Sequence, residues 1–391
     1  MRIPSLDGIR AASFLVVFVA HAGLERYVPG KPIAELEREY GVHDIVKLAS
    51  NENPWGMSPV ALAAVAAALP ELWLYPDGGA HALKGALARH LGVPRDWLTV
   101  GNGSNDLLML LAEAFLTGAH SGLYSQYGFA IYPIVIRATG ARCLVASAHS
   151  PGSPMPFGHD LAALARAIEP DTRLVFIANP NNPTGTWVGP DALREFIAAV
   201  PAHALVVLDE AYLDYALLDG VPDSLEWVRE FPRLVLVRTF SKAWGLAGLR
   251  LGYAVSHPEV ADALDRVRPA FNVNTLAQVA GVAALGDLPH VQRVAAQTVA
   301  ERRRVESALR ALGVQFAPSA ANFLLIEVGQ GDGKAARDAN EQLLRAGIIV
   351  RPVGGYGLPR HLRITIGLPG HNDRLLAELA RLMNLPTLKP T

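Results

Sequence analysis

Only one cysteine, Cys143, occurs in 391 residues. An intrachain disulfide and a cysteine-based metal cluster are thereby excluded, no metal site is expected, and a reducing, cytoplasmic setting fits. Charge is scarce at 18% and nearly balanced, with 35 basic against 36 acidic side chains. Without a basic block there is no counterion-release footprint, so nucleic acid is not an expected partner. The 35 glycines and 28 prolines are too few for a collagenous or disordered chain, and the length allows about two or three domains. The apolar stretch 11–22 (AASFLVVFVAHA) falls short of the ~20 residues that a membrane span needs. As a signal peptide it has only a weak small-x-small site, Ala20-His21-Ala22, and the single cysteine gives export no support.

From Tyr27 onward the pattern is that of an α/β protein. Branched-apolar runs at 174–178, 204–208, 234–237 and 251–255 read as buried parallel strands. Between them lie amphipathic or alanine-rich stretches such as 190–200, and Ser58-Pro59 supplies a cap and a first-turn proline for a helix. Repeated strand–helix units predict a doubly wound core. After about residue 285 the texture changes to a long charged helix (291–312), a strand (323–328), a helix (336–346) and a strand (362–366). That change predicts a smaller second domain.

The chemistry begins with a shortage of lysine. Of the 35 basic residues only six are lysines, so the chain usually meets a need for positive charge with arginine. A lysine just after a buried strand is then a candidate for amine chemistry, because it can lose its proton and attack a carbonyl. Lys242 sits there, in a loop of glycines and small hydroxyl residues, although a solvated surface lysine would look the same in isolation. Three clusters bear on the choice. NPNNPTG (179–185) places Asn182 at a strand's carboxyl end, where open α/β sheets bind ligands. The next strand ends in Asp209-Glu210-Ala211-Tyr212, bringing a carboxylate and a phenol to the same edge; a mere helix cap is the competing reading. GNGSN (101–105) opens an apolar helix, so that Ser104 and free backbone amides form an anion site.

In combination these residues resemble the fold-type I enzymes of pyridoxal 5′-phosphate (PLP), the aspartate aminotransferase superfamily, from about Tyr27 to Met383. Within it the likeness is to the histidinol-phosphate aminotransferase branch. It is carried by YVPGKPIAELEREYG (27–41), KLASNENPWG (47–56), YPDG (75–78), GNGSND (101–106), NPNNPTG (179–185), LDEAYLDY (208–215), RTFSKAWGLAGLRLGY (238–253), ANFLL (321–325) and RPVGGYGLPRHLRITIG (351–367). Residues 1–23 stand outside it; SLDGIR (5–10) and the apolar run behind it resemble the opening of membrane acyltransferases.

The resemblance implies an α/β fold with a large PLP-binding domain (48–285) built on a mostly parallel sheet and a smaller α/β C-terminal domain (286–391). An N-terminal arm (27–47) would pack on the small domain, behind an atypical segment (1–26). Lys242 would carry the cofactor and move the substrate's Cα proton. Asp209 would keep the pyridine nitrogen protonated, since a nearby anion favours the charged cation. Asn182 and Tyr212 would donate to the cofactor's phenolate oxygen. Tyr127 would stack on the ring, but SQYGF (125–129) departs from the family's usual Pro-Thr/Ser-Tyr/Phe run, leaving Phe129 as a rival. Amides at Ser104 and Asn105, the hydroxyls of Thr239 and Ser241, and Arg250 would hold the phosphate. Arg351 and Arg363, with Tyr27 and Asn53 nearby and Tyr75 from a second subunit of a homodimer, would bind substrate. The implied reaction is a ping-pong transamination between histidinol phosphate and 2-oxoglutarate, giving imidazole acetol phosphate and glutamate. An aromatic amino-acid aminotransferase and a catalytically idle binding module are the alternatives.

Overall fold

The structure is a computed structural model that describes residues 29–329 and 331–383. Its strands are β1 (Val46–Lys47), β2 (Leu98–Gly101), β3 (Ser121–Ser125), β4 (Arg142–Ala146), β5 (Thr172–Ala178), β6 (Leu205–Asp209), β7 (Leu234–Thr239), β8 (Gly252–Val255), β9 (Phe323–Glu327), β10 (Ile348–Ile349), β11 (Arg351–Pro352) and β12 (His361–Thr365). Seven of them form one sheet in the order β2-β8-β7-β6-β5-β3-β4. Five of these strands, from the edge strand β4 through β3, β5 and β6 to β7, are parallel.

Both faces of this sheet are apolar, which is why its strands read as continuous hydrophobic runs. Successive side chains still alternate. Val206, Leu208, Leu234 and Leu236 enter one core, while Val207, Val235 and Val237 enter the other with Leu107, Leu111, Tyr132 and Val135 of the helices Ser104–Phe115 and Ile131–Ala138. Extending the alternation by one step puts Asp209 and Thr239 on this second face, at the carboxyl ends of β6 and β7. It puts Glu210 and Arg238 on the opposite face, where they form a buried ion pair at 2.8 Å.

The expectation that 251–255 is a parallel strand is corrected: β8 runs antiparallel to both β2 and β7. A strand covered on both faces carries the same apolar signature in either direction. Direction is set by the connection, and β7 reaches β8 through the short loop 240–251, without the crossover helix that parallel neighbours require.

The other forecasts shift only at their ends. Ser58 Oγ accepts the Val60 N–H at 3.2 Å and caps the helix Pro59–Ala68. The long charged helix is Leu288–Ala311 and the next is Lys334–Arg345. A separate apolar cluster, with Leu324, Ile326, Leu343, Ile348, Leu362 and Ile364 at its centre, packs the sheet β11-β12-β9 against these helices and Pro369–Leu382. The helix Ile33–Tyr40 joins it through Leu36, which packs with Leu344 and Ile349, and through Tyr40 Oη, which donates to Glu341 at 2.8 Å. The segment 1–26 and Tyr27 lie outside the described residues. Among those described, no helix is long and apolar enough to cross a membrane.

Candidate active site

β5, β6 and β7 end side by side, with Ala178 paired to Asp209 and Asp209 to Val237. The loops that follow therefore open on one cavity, lined by Ser104, Asn105, Phe129, Asn182, Asp209, Tyr212, Thr239, Ser241, Lys242, Arg250, Arg351 and Arg363 among others. Asp209 is 4% exposed. Its Oδ2 accepts from Tyr132 Oη and its Oδ1 from the Ala211 N–H, both at 3.2 Å. Burial raises the carboxyl to about 6, against the lowering influence of those two donors and of Lys242.

Lys242 Nζ lies 5.6 Å from the Tyr212 ring centre and donates to the Ser50 carbonyl at 3.4 Å. Desolvation and then the Arg363 charge lower its amine to about 8, partly opposed by Glu52. The residue as a whole is only half-buried, since it lines the cavity that Asp209, Tyr212 and Arg363 also face. Tyr212 is buried; it accepts from Asn51 Nδ2 at 2.9 Å, and burial raises its phenol well above the ordinary value. Arg363 Nη1 donates to Asn182 Oδ1 at 2.5 Å and Nη2 to the Ala49 carbonyl at 2.6 Å, with Phe323 beneath the guanidinium at 5.3 Å. β11 pairs Arg351 directly with Arg363, so both arginines reach the cavity from one sheet.

At the other end, the helix Ser104–Phe115 begins behind Gly103 with no side-chain cap. Gly103 has φ +83°, and a Cβ there would collide with Arg250 Nη2. A Cβ on Gly252 would stand 2.6 Å from the Ser104 nitrogen, so glycine alone lets β8 pass this close to the helix start. Thr239 Oγ1 donates to Ser241 Oγ at 3.0 Å, and Arg250 Nη1 donates to the same oxygen at 3.3 Å. Exposed amides of the first helical turn, two hydroxyls and a guanidinium suit a phosphate dianion.

The fit to PLP is thus testable group by group. The cavity offers a desolvated amine for its aldehyde, a buried carboxylate for its ring nitrogen, a phenol and an amide side chain for its phenolate, and the anion cradle for its phosphate. The residues present fit it. Among the described residues, no cluster of His, Cys, Asp and Glu could hold a metal ion.

Some expected residues stand elsewhere. Tyr75 is 83% exposed and stacks on Phe271 at 4.8 Å, and it is not among the residues lining the cavity. Asn53 turns to the backbone, where Nδ2 donates to the Gly56 and Ala243 carbonyls and so braces the residue after Lys242. Tyr127 lies edge-on to Phe157 at 5.4 Å, with its carbonyl accepting from Asn181, whereas Phe129 lines the cavity. Two residues that sequence reasoning passed over stand in the site. Asn51 has φ +56°, a conformation that asparagine tolerates, and its Oδ1 accepts from Thr365 Oγ1 at 3.0 Å while Nδ2 reaches Tyr212. Asn51 and Asn53 share the motif SNENPWG, and the structure brings Asn51 rather than Asn53 to the site. Tyr132 belongs to no motif, and only the packing of its helix on the sheet brings its hydroxyl to Asp209.

The profile of aminotransferase class I and II matches residues 43–382. Histidinol-phosphate aminotransferase 1 of Cupriavidus pinatubonensis is 54% identical over 357 residues, covering 91% of this chain and 93% of that protein. Histidinol-phosphate aminotransferase 1 of Nitrosococcus oceani is 51% identical over 360 residues, 91% of this chain and 94% of the relative. The crystal structure of histidinol-phosphate aminotransferase from Sinorhizobium meliloti in complex with pyridoxal 5′-phosphate superposes with a TM-score of 0.84 at 30% identity, over 93% of this chain and 96% of that one. Thermus thermophilus aspartate aminotransferase with maleate matches at TM-score 0.78 and 24% identity, covering 92% of this chain and all of that one, a likeness of fold. The acyltransferase likeness of residues 1–23 is not borne out by these relatives, and those residues lie outside the described ones.

Proposed function

Because the chain belongs to the class I and II aminotransferases, we propose that it converts histidinol phosphate and 2-oxoglutarate to imidazole acetol phosphate and glutamate in a ping-pong PLP cycle. The carrying observation is that one cavity joins a desolvated lysine, a buried aspartate, an anion cradle and two arginines. Relatives that bear the histidinol-phosphate name at about half identity over nine-tenths of the chain support the substrate.

When bound, PLP supplies an aldehyde that takes up the substrate's amine and a cationic ring that withdraws electrons from Cα. Lys242 Nζ holds the cofactor between turnovers. Freed from the cofactor, its amine would take the proton from substrate Cα and deliver it to the carbon that was the cofactor's aldehyde, a role suited to an amine poised near neutral pH. Asp209 would stabilise the protonated ring nitrogen, and Asn182 and Tyr212 would donate to the phenolate oxygen. Ser104, Asn105, Thr239, Ser241 and Arg250 anchor the phosphate. Arg363, held by Asn182 and Ala49, presents its guanidinium to the phosphate ester of one substrate and to the carboxylate of the other, and Arg351 adds a second cation for the dianion. Of the two aromatics, we assign the cover of the ring to Phe129, because it lines the cavity, with Tyr127 as its rival.

A homodimer completes the site. Val60, Leu62, Leu69, Leu72, Trp73 and Tyr75 are large apolar residues exposed within one short stretch of chain, the kind of surface a second copy would cover. A second copy seated there would bring its Tyr75 toward the neighbouring cavity. We assign residues 48–285 to the large domain, 286–391 to the small one, and 27–47 to an arm that packs on the latter. We place the enzyme in the cytoplasm, where a lone thiol such as Cys143 stays reduced.

The test is the visible spectrum of the PLP-loaded protein. Histidinol phosphate should remove the lysine-bound cofactor band at a lower concentration than phenylalanine, and 2-oxoglutarate should restore it. If phenylalanine acts first, the enzyme is an aromatic aminotransferase. If PLP gives no lysine-bound band, the cofactor reading fails.

A further inference from the structure

Tyr132 lies wholly inside the protein, on the helix Ile131–Ala138. Its ring stacks on Phe176 of β5, with centroids 5.0 Å apart and planes 17° from parallel, and meets Phe129 edge-on at 5.9 Å. Tyr124 closes the remaining side at 6.4 Å. Three aromatic neighbours fix the ring, and the ring fixes its hydroxyl, which donates to Asp209 Oδ2 at 3.2 Å. The other carboxylate oxygen takes the Ala211 N–H. Each oxygen of Asp209 therefore has one protein donor, and the carboxylate plane is set before any ligand arrives.

We propose that Tyr132 is a positioning residue for transamination: its hydroxyl holds the Asp209 carboxylate in the orientation and the charged form that pair with the cofactor's ring nitrogen. This rests on the reading that Asp209 serves that nitrogen. The physical need is clear from the surroundings. Asp209 is enclosed, and enclosure favours the neutral acid. Four groups bear on its charge: the Tyr132 hydroxyl on the helix side, the Ala211 amide at the strand end and the Lys242 amine across the cavity favour the anion, whereas Glu210 next in the chain opposes it. Of the favourable three, only the hydroxyl can be removed without touching the backbone or the cofactor's anchor.

Tyr132→Phe deletes one oxygen and keeps the stack on Phe176. In the apoprotein, the Asp209 carboxyl titrates higher folded than unfolded. Its ionisation therefore costs stability, a cost that begins as pH rises past the unfolded value and is complete above the folded one. Removing a donor to the anion enlarges that cost only where the anion exists. The melting temperature of the variant apoprotein should thus fall further below wild type at pH 8 than at pH 4.5. PLP affinity at pH 8, read by fluorescence quenching, should drop about three- to tenfold. Activity on the acid side should move up by roughly half to one pH unit. In an Asp209→Ala background, Tyr132→Phe should weaken PLP binding no further.

Equal destabilisation at both pH values with unchanged PLP affinity would mark a purely structural hydroxyl and overturn the proposal. So would a full additional loss of affinity in the Asp209→Ala background, because the hydroxyl would then act by another route. If Asp209→Ala alone leaves PLP affinity intact, the underlying reading of Asp209 fails, and the proposal with it. If Asp209→Ala weakens binding while Tyr132→Phe does not, only the proposal fails.

Discussion

Lys242 should be the most reactive lysine side chain of the apoprotein near neutral pH. Its pKa is lowered from 10.5 to about 8 because its ammonium is stripped of water and faces Arg363. At pH 8 about half of it is neutral, against roughly one part in 300 for an ordinary lysine. Intrinsic nucleophilicity falls with basicity, with a slope near one half for the comparable thiolate series, which returns part of this advantage. About tenfold remains. Lys31 is held back further, since Glu35 and Glu39 raise its pKa. The assay is brief treatment of apoprotein with a limiting, small amine-selective acylating reagent from pH 6 to 10, followed by peptide mass mapping. Modification of Lys242 should rise through a midpoint near 8 and exceed that of Lys31 by about an order of magnitude at pH 8. Preincubation with PLP should protect it. If Lys31 is modified as readily at pH 8, or if Lys242 titrates only above pH 10, the desolvation argument is refuted and the poised-amine role loses its basis.

Three further outcomes follow from the same geometry. Lys242→Ala should fold, as judged by an unchanged far-ultraviolet circular dichroism spectrum, and lose the covalent cofactor band and turnover; transamination at more than about a thousandth of the wild-type rate would contradict its role. Arg363→Lys should keep the charge but forfeit the fork shared between Asn182 and Ala49, so kcat/KM for both substrates should fall about 100-fold or more, and a near-wild-type value would show that the planar group is dispensable. Gly103→Ala should displace Arg250 and impose a left-handed backbone on alanine; PLP affinity, measured by equilibrium dialysis, should drop at least tenfold, with inorganic phosphate losing its ability to compete.

How much of this was legible beforehand divides along physical lines. The apolar runs of β5, β6 and β7 announced buried strands, and the residues at their ends announced the site, because a strand's next residue has few places to go. Lys242 stood out by the rarity of lysine. The direction of β8 was not legible, since apolar coverage on both faces erases the difference between parallel and antiparallel neighbours. Asn51 and Asn53 sit in one motif, and only the left-handed turn at Asn51 aims its amide at Tyr212.

The case of Tyr132 shows where such reasoning ends. Its hydroxyl meets Asp209 across 77 residues of sequence, through the packing of a helix on two strands. Nothing in the string IYP marks one of its neighbours as a carboxylate. Motifs arise where chemistry depends on residues close in sequence, such as the hydroxyl–hydroxyl–lysine run of Thr239, Ser241 and Lys242, whose mutual spacing the backbone enforces. Groups that act through those residues can come from any element that packs beside them, so sequence spacing does not constrain them and no pattern forms. The residues that receive the ligand are therefore legible in the sequence, whereas those that tune the receivers become legible only in the fold.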